Sequence, residues 1–298
     1  MRLVFLGTPA DAVPALRALV GAGHDVALVV SQPDRRRGRR GAPVASPVKQ
    51  AALELGLPVR TPDRAREVID EVAASGATLG VVVAFGQLLP SALLEALPLG
   101  FVNVHFSLLP RWRGAAPVER AVLAGDRETG VCIMAVEEGL DTGPVYAART
   151  LAIGPEETAG ELRARLVEAG AALLVETLPD IGRIEPAPQE GEATYAEKLT
   201  ADEFRIDWSQ PAGALARLVR AGNPRPGAWT TSDGQRLKVW RARAEPGGGA
   251  PGTLVDEARV ATGDGVLVLV EVQPEGRRAM AASAWLAGQR GSRPVLGG

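Results

Sequence analysis

Short apolar runs recur along the first part of the chain and alternate with segments whose apolar residues repeat at helical spacing. Such runs are typical of strands buried on both faces, and the helices between them cover the faces of a parallel sheet. The pattern therefore predicts an α/β domain. The expected strands are 3–6, 26–30, 80–84 and 101–106, and the expected helices are 8–22, 46–55, 91–96, 116–124 and 158–178.

Two further strands, 130–136 and 144–150, flank a turn bounded by Gly139 and Gly143. From about residue 184 to 193 the chain turns to Pro, Glu, Gln and Gly without periodicity, which indicates a linker rather than a core element. A domain boundary is expected there.

Beyond the linker, a predicted helix at 212–220 precedes short strands that are separated by Gly-containing turns. This spacing is typical of a small β-barrel. The expected strands are 229–232, 236–243, 252–255, 259–261 and 266–272. We therefore expect a first domain at 1–184, a linker at 185–203 and a second domain at 204–298.

Composition indicates the compartment of these domains and limits the partners that they could bind. The chain has 298 residues and one cysteine, Cys132, which rules out an internal disulfide framework and favours a buried thiol in a reducing compartment. The apolar stretch at the N-terminus is too short for a signal peptide or a membrane span, so neither export nor insertion is expected. A formal net charge of −2 argues against nucleic-acid binding over the whole surface and leaves local patches open.

The candidate chemistry begins on the fourth predicted strand, where Asn103 and His105 are two residues apart. Alternate residues of a strand share a face, so both polar side chains point the same way while Val102, Val104 and Phe106 point into the core. An amide and an imidazole on an apolar strand need partners if they are buried. The pair lies at the carboxyl end of the strand, where open α/β sheets bind ligands. The alternative is a satisfied core histidine beside a turn-forming asparagine.

A carboxylate in the turn at 139–143 joins this candidate site. Its two glycines allow the backbone to bend tightly around Asp141. The alternative for Asp141 is an Asx turn, the more frequent role of Asp beside Gly.

In combination, these residues resemble the folate-dependent formyltransferases, whose shared catalytic trio is Asn, His and Asp in that order. The motifs that carry the resemblance are Asn103-Val-His105, Ser107-Leu-Leu-Pro110, Arg113-Gly-Ala-Ala-Pro117 and Gly139-Leu-Asp-Thr-Gly143. The similarity runs nearly end to end, through Gly7-Thr8-Pro9, Gln32-Pro-Asp-Arg35, Ser46-Pro-Val-Lys49, Phe85-Gly86, Thr194-Tyr-Ala-Glu-Lys198, Arg205-Ile-Asp-Trp208 and Ala261-Thr-Gly-Asp-Gly265. The resemblance implies a Rossmann-like catalytic domain followed by an OB-like β-barrel.

The reaction implied by the resemblance moves a formyl group from 10-formyltetrahydrofolate to the α-amine of methionine on initiator methionyl-tRNA, for translation initiation. His105 is expected to act as the general base that takes the amine proton. Asn103 is expected to donate a hydrogen bond to the formyl oxygen as charge builds there. Asp141 is expected to orient the imidazole and favour its charged form, with water binding as the alternative role.

The resemblance also assigns folate to a cleft lined by two segments. These are Phe85, Gly86, Gln87 and Leu88, and Ser107, Leu108, Leu109 and Pro110. For Phe85 the alternative is simply a buried strand end. The turn after the first strand carries only one of the three glycines of G-x-G-x-x-G, which excludes a nicotinamide dehydrogenase, and no metal is expected.

Five arginines fall within six positions at 35–40, a run that is usually a solvated loop. By resemblance it is an inserted loop that contacts the tRNA acceptor end, with Arg39 as the functional arginine. Gly41 and Ala42 replace the family's usual lysines, and phosphate contacts from the other arginines are expected to compensate. The expected tRNA-binding residues are Arg36, Arg37, Arg39 and Arg40 in the loop, and Arg236, Lys238, Arg241 and Arg243 in the second domain.

Other functions share parts of this pattern. A formyltransferase acting on a nucleotide or an amino sugar would use the same trio, and a 10-formyltetrahydrofolate hydrolase would replace the amine by water. A tRNA-binding protein with a dead formyltransferase fold is disfavoured by the intact trio. We further expect a cytoplasmic monomer. Phe106 occupies a position where the family carries a small residue, so it is expected to press on the sheet or to narrow the cleft.

Overall fold

The computed structural model describes residues 1–36, 41–256, 258–289 and 296–297. The helices are α1 (Val13–Gly21), α2 (Pro47–Glu54), α3 (Ile69–Ala74), α4 (Ser91–Leu94), α5 (Pro117–Ala124), α6 (Ala159–Thr177), α7 (Ala212–Gly222) and α8 (Ala282–Ala287). The strands of the first half are β1 (Arg2–Gly7), β2 (Asp25–Val30), β3 (Arg35–Arg36), β4 (Pro43–Val44), β5 (Val59–Arg60), β6 (Leu79–Val83), β7 (Phe101–His105), β8 (Arg113–Gly114), β9 (Glu128–Ala135) and β10 (Val145–Ala152). The remaining strands are β11 (Tyr195–Ala196), β12 (Ala228–Ser232), β13 (Gln235–Glu245), β14 (Leu254–Asp256), β15 (Arg259–Ala261), β16 (Val266–Pro274) and β17 (Met280–Ala281).

A seven-stranded sheet carries the predicted α/β fold, in the order β10-β9-β7-β6-β1-β2-β5. The pairs from β7 across β6, β1 and β2 to β5 are parallel, as the apolar runs predict, whereas β9 runs antiparallel to β7. The four residues from Leu3 to Leu6 are fully buried, as expected of a strand covered on both faces. The edge strand β5 has only two residues, too few to leave a periodic signal in the sequence.

Tight packing fixes β7 against β6. Gly80 pairs with Phe101, and a Cβ at position 80 would lie 2.0 Å from the Phe101 ring, so only glycine leaves room for the ring. Local sequence signals also fit the first two helices. Pro14 lies in the first turn of α1, and the Ser46 hydroxyl caps α2 by accepting from the Lys49 N–H at 3.0 Å.

A second, antiparallel sheet has the order β12-β13-β16-β15-β14, with β17 paired to β16. The inner face of the sheet packs against α7 and α8 around Trp208, Val239, Leu267 and Trp285. A β-domain therefore follows the α/β domain, as the predicted small β-barrel requires, and its strands pair antiparallel. Register shifts between residues 239 and 242 interrupt the ladder of β13.

The chain divides into two compact units. The first comprises Met1–Gly114, Thr129–Leu151 and Ala164–Tyr195. The second comprises Ala196–Gly298 together with Ala115–Glu128 and Ala152–Arg163, two segments that lie inside the predicted first domain. The boundaries 1–184, 185–203 and 204–298 themselves stay a prediction. Among the described residues, no helix is both long and apolar enough to cross a membrane.

Candidate active site

Strand β7 presents Asn103 and His105 on one face, as their spacing predicts. Val102 and Val104 on the opposite face are 0% and 3% exposed and anchor the strand in the core. Asn103 is partly exposed and pairs across the ladder with Met134. Within the described part of the chain its carboxamide has no hydrogen-bond partner. An otherwise apolar strand therefore carries a polar group that can bind a ligand.

Two oxygen atoms face the imidazole of His105. Its Nε2 is 2.9 Å from the carbonyl oxygen of Trp112, and its Nδ1 is 3.6 Å from Oδ2 of Asp141. A carbonyl only accepts, so Nε2 carries the proton of that hydrogen bond. The separation from Asp141 is too long for a direct hydrogen bond and short enough for an ion pair with a protonated ring.

Asp141 lies in a tight turn with the unusual backbone angle φ of 51°. Its Oδ2 accepts a hydrogen bond from the Gly114 N–H at 2.8 Å. The glycine at position 143 is required, because a Cβ there would lie 2.0 Å from the carbonyl oxygen of Ala135. The turn therefore fixes the carboxylate beside His105.

Residues 187–194, which we name the clasp segment, pack against both loops of this site. Ala187 and Val145 exchange two backbone hydrogen bonds, and the Thr194 hydroxyl accepts from the Trp112 N–H at 2.9 Å. The side chain of Gln189 binds Arg113 and the carbonyls of Asp141 and Gly143. The sequence pattern predicts a linker here and misses this contribution, because side-chain bonds to loop backbone leave no hydrophobic period.

The residues expected to bind folate differ in their exposure and in the bonds that they already make within the protein. Two polar side chains are used within the protein: buried Ser107 donates to the Arg111 carbonyl at 2.6 Å, and Gln87 accepts from the Ala65 N–H at 2.8 Å and donates to the Asp63 carbonyl. Phe85 is buried, as the alternative for this residue predicts, and its carbonyl accepts from Thr8 and Gln32 at 2.9 Å each. Leu88 is 81% exposed, and Gly86 has a left-handed backbone. Leu108, Leu109 and Pro110 are partly buried in the turn after β7.

Phe106 packs away from the site. A Cβ on Gly170 of α6 would meet Val104 at 2.9 Å and the Phe106 ring at 3.4 Å, which shows that both side chains lie on the helix-facing side of the sheet. The expectation that Phe106 narrows the cleft is therefore wrong. The missing side chain at position 170 leaves space for the ring.

The predicted tRNA-binding cations are only partly described. Arg36 is exposed on β3, whereas Arg37, Arg39 and Arg40 lie outside the described residues. On β13, Arg236 stacks 4.0 Å from the Trp229 ring, and Lys238 lies 4.9 Å from the Trp240 ring and donates to the Pro226 carbonyl. Arg241 binds Glu161, and Arg243 binds Glu245 at 2.9 Å.

Cys132 pairs with His105 across the β7–β9 ladder. The residue is buried, as predicted, and burial raises the pKa of its thiol. The described residues contain no group of three or more His, Cys, Asp or Glu side chains that could hold a metal ion.

Comparisons with known proteins agree with this arrangement of domains and motifs. A family model described as formyl transferase matches residues 1–178, and a second, described as formyl transferase, C-terminal domain, matches residues 198–290. Methionyl-tRNA formyltransferases are similar over nearly the whole chain. The protein from Heliobacterium modesticaldum is 49% identical over 97% of this chain and 98% of its own length, and that from Paracoccus denitrificans is 51% identical over 97% of each.

Solved structures share the fold at low identity. HypX from Aquifex aeolicus in complex with tetrahydrofolic acid has a TM-score of 0.68 and 19% identity, covering 96% of this chain and 47% of that one. An N-formyltransferase from Helicobacter canadensis has a TM-score of 0.67 and 17% identity, covering 91% of this chain and 98% of that one. With both family models and full-length relatives in agreement, the chain belongs to the formyl transferase family, in the group of the methionyl-tRNA formyltransferases.

Proposed function

We propose that this chain transfers a formyl group from 10-formyltetrahydrofolate to the α-amine of methionine on initiator methionyl-tRNA. The observation that carries the proposal is the convergence of Asn103, His105 and Asp141 at the carboxyl end of β7, in a chain about half identical to proteins named for this activity. The methionyl-tRNA acceptor is supported by the relatives' names, and the chemistry by the side chains.

His105 is proposed to take a proton from the attacking amine at Nδ1. Because Nε2 donates to the Trp112 carbonyl, the lone pair of the neutral ring lies on Nδ1. Once protonated there, the ring faces the Asp141 carboxylate at 3.6 Å, and this opposite charge stabilises the imidazolium. General-base catalysis of this kind contributes roughly 10²–10⁴-fold in rate.

Asn103 is proposed to stabilise the charge that develops on the formyl oxygen. Its carboxamide has no partner among the described residues, so its Nδ2–H groups are free to donate to substrate. A donor already fixed before the reaction costs no reorganisation during it. Loss of one such donor typically lowers turnover by about 10²–10³-fold.

The carrier would be held by residues 85–88 and 107–110. These residues fit a flat, partly apolar ligand, since Leu88 offers an exposed apolar side chain beside the left-handed turn at Gly86. Ser107 and Gln87 already bond within the protein, so we propose that backbone groups and apolar contacts hold the ring. When bound, the carrier supplies the formyl carbon that the amine attacks.

For tRNA, we propose contacts from Arg36, Arg37, Arg39 and Arg40 and from Arg236, Lys238, Arg241 and Arg243. Support comes from the density of positive charge in the loop and from the row of cations on β13. Arg241 and Arg243 now bind carboxylates, and each would exchange that partner for a phosphate. A monomeric state and a cytoplasmic location stay predictions from the sequence.

A panel of acceptors tests the proposal. Purified protein is incubated with 10-formyltetrahydrofolate and, separately, initiator methionyl-tRNA, elongator methionyl-tRNA, glycinamide ribonucleotide and an amino-sugar nucleotide. We expect formylated initiator methionyl-tRNA as the main product. Formylation of a small amine in preference to the tRNA would contradict the proposed acceptor, and formate release without an acylated product would indicate a hydrolase.

A further inference from the structure

The carboxamide of Gln189 uses its full hydrogen-bonding capacity within the protein. Its two N–H groups donate to the carbonyls of Asp141 and Gly143, each at 2.8 Å. Its Oε1 accepts from Nε and Nη2 of Arg113 at 3.0 and 2.7 Å. A carboxamide has two donors and two acceptor lone pairs, so no position is left for a substrate.

These four bonds join the two loops that surround His105. One loop carries Asp141, whose left-handed backbone is an unfavourable conformation for a residue with a side chain. The other begins at Arg113, and the next residue, Gly114, donates its N–H to the Asp141 carboxylate. Gln189 thus holds the turn of Asp141 against the loop that binds its carboxylate.

The clasp segment also binds the residue that provides the second oxygen beside His105, the carbonyl of Trp112. Thr194 binds the backbone N–H of Trp112, the residue whose carbonyl accepts from His105 Nε2. The Arg113 N–H in turn donates to the Thr194 carbonyl at 2.9 Å. The clasp segment therefore binds the loops that carry both groups facing the imidazole, the Asp141 carboxylate and the Trp112 carbonyl.

We propose that Gln189 is a positioning residue for formyl transfer, which fixes the distance between Asp141 and His105 by clamping the turn at 141–143 to Arg113. This inference rests on the proposed function, because it concerns the same catalytic groups. Gln189 acts through Asp141 and does not touch the substrate. A small displacement of a catalytic group costs up to about 10²-fold in rate, which sets the size of the expected effect.

The proposal depends on the amide itself. Glutamate at position 189 would keep the acceptors for Arg113 and would turn a carboxylate toward two carbonyl oxygens. Methionine would fill a similar volume and make none of the four bonds. Asparagine is one methylene shorter and would not span both loops.

The test compares Gln189→Glu, Gln189→Met and the matched control Glu190→Gln, an exposed neighbour in the clasp segment. Turnover and both Michaelis constants are measured with 10-formyltetrahydrofolate and methionyl-tRNA, together with thermal unfolding. We expect kcat to fall roughly 10–100-fold in both Gln189 variants. Both Michaelis constants should change less than about threefold, and the control should match the wild type.

An Arg113→Met variant closes a double-mutant cycle with Gln189→Met. Because one bonded unit is disrupted in each case, the double variant should be no slower than the slower single variant. Wild-type turnover in Gln189→Met would overturn the proposal. So would a loss of activity fully explained by a smaller folded fraction, or multiplied effects in the double variant.

The reaction catalysed by the wild type shows whether the proposed function or the proposed role of Gln189 has failed. If it formylates a different amine or only releases formate, the methionyl-tRNA acceptor is wrong, and the Gln189 variants are then compared on that reaction, which uses the same His105 and Asp141.

Discussion

The imidazole of His105 has an oxygen on each side, the Trp112 carbonyl at Nε2 and the Asp141 carboxylate at Nδ1. In the neutral ring only one nitrogen carries a proton, and that proton goes to the carbonyl. We therefore propose that the Trp112 carbonyl orients the ring, a role that the resemblance assigns to Asp141. For Asp141 we therefore propose the other role, which is to stabilise the positive charge that the ring gains when it takes a proton.

If Asn103 is the proposed donor to the formyl oxygen, its unpartnered carboxamide should cost the protein stability. Replacing it by leucine removes an unpartnered amide from an apolar strand, so Asn103→Leu should raise the free energy of unfolding by roughly 1 kcal/mol while lowering kcat by about 10²-fold or more. Chemical denaturation and steady-state kinetics measure the two effects.

Asn223→Leu is the matched contrast to this substitution. The Asn223 carboxamide donates to the Trp240 carbonyl at 2.8 Å, so its loss should destabilise the protein. If Asn103→Leu were as destabilising as Asn223→Leu, the side chain of Asn103 would be a structural element and not a reserved donor.

At the scale of residues, the sequence predicts those side chains that break a pattern. Asn103 and His105 interrupt an apolar strand, and Asp141 stands between glycines, so each carries a signal. The Trp112 carbonyl carries none, because a backbone group is the same in every residue. Gln189 is one polar residue in a polar stretch, and only the folded loops show what it binds.

Among the elements, α6 begins with a reciprocal cap. The Thr158 N–H donates to Glu161 Oε2 at 2.9 Å, and the Glu161 N–H donates back to the Thr158 hydroxyl at 3.3 Å. The Thr158 backbone N–H, the Arg241 guanidinium and the Thr158 hydroxyl lower the pKa of Glu161 from 4.5 to about 2. The charged carboxylate therefore stabilises the start of this helix.

The lowered pKa gives this cap a pH dependence. A carboxyl whose pKa is lower in the folded state stabilises the fold fully above its unfolded value and loses that contribution as pH falls through the folded value. Glu161→Gln should therefore lower Tm at neutral pH, and the difference from wild type should shrink between pH 4.5 and about 2. Thermal unfolding across this range measures it.

Glu168→Gln is the matched control on the same helix, where the carboxylate is exposed. It should leave Tm nearly unchanged at every pH. A Tm difference for Glu161→Gln that persists unchanged at the acid end would show that the charge of Glu161 does not stabilise the cap.

Elements with a hydrophobic period are those that the sequence predicts well. The apolar runs predicted β1, β2, β6 and β7, and the helix predicted to begin at Thr158 begins one residue later, as α6. The two-residue strand β5 has no period to detect, and the antiparallel direction of β9 depends on how the chain returns to the sheet. The clasp segment is held by polar bonds, so its composition resembles a linker.

For the molecule as a whole, the family is established by similarity along nearly the full chain. The two family models cover residues 1–178 and 198–290, and the compact units add residues 115–128 and 152–163 to the second body. Periodicity along the sequence does not reveal that these two segments belong to the second unit, since each has the pattern of an ordinary helix or strand of the first domain.

The most direct test of the proposed reaction is formyl transfer to methionyl-tRNA in a single turnover, comparing the wild type with His105→Ala. We expect a formyl group on the α-amine of the initiator methionyl ester with the wild type, and a rate roughly 10²–10⁴-fold lower with His105→Ala at unchanged substrate binding. Near-wild-type transfer by a folded His105→Ala protein, or no formylated methionyl-tRNA with the wild type, would contradict it.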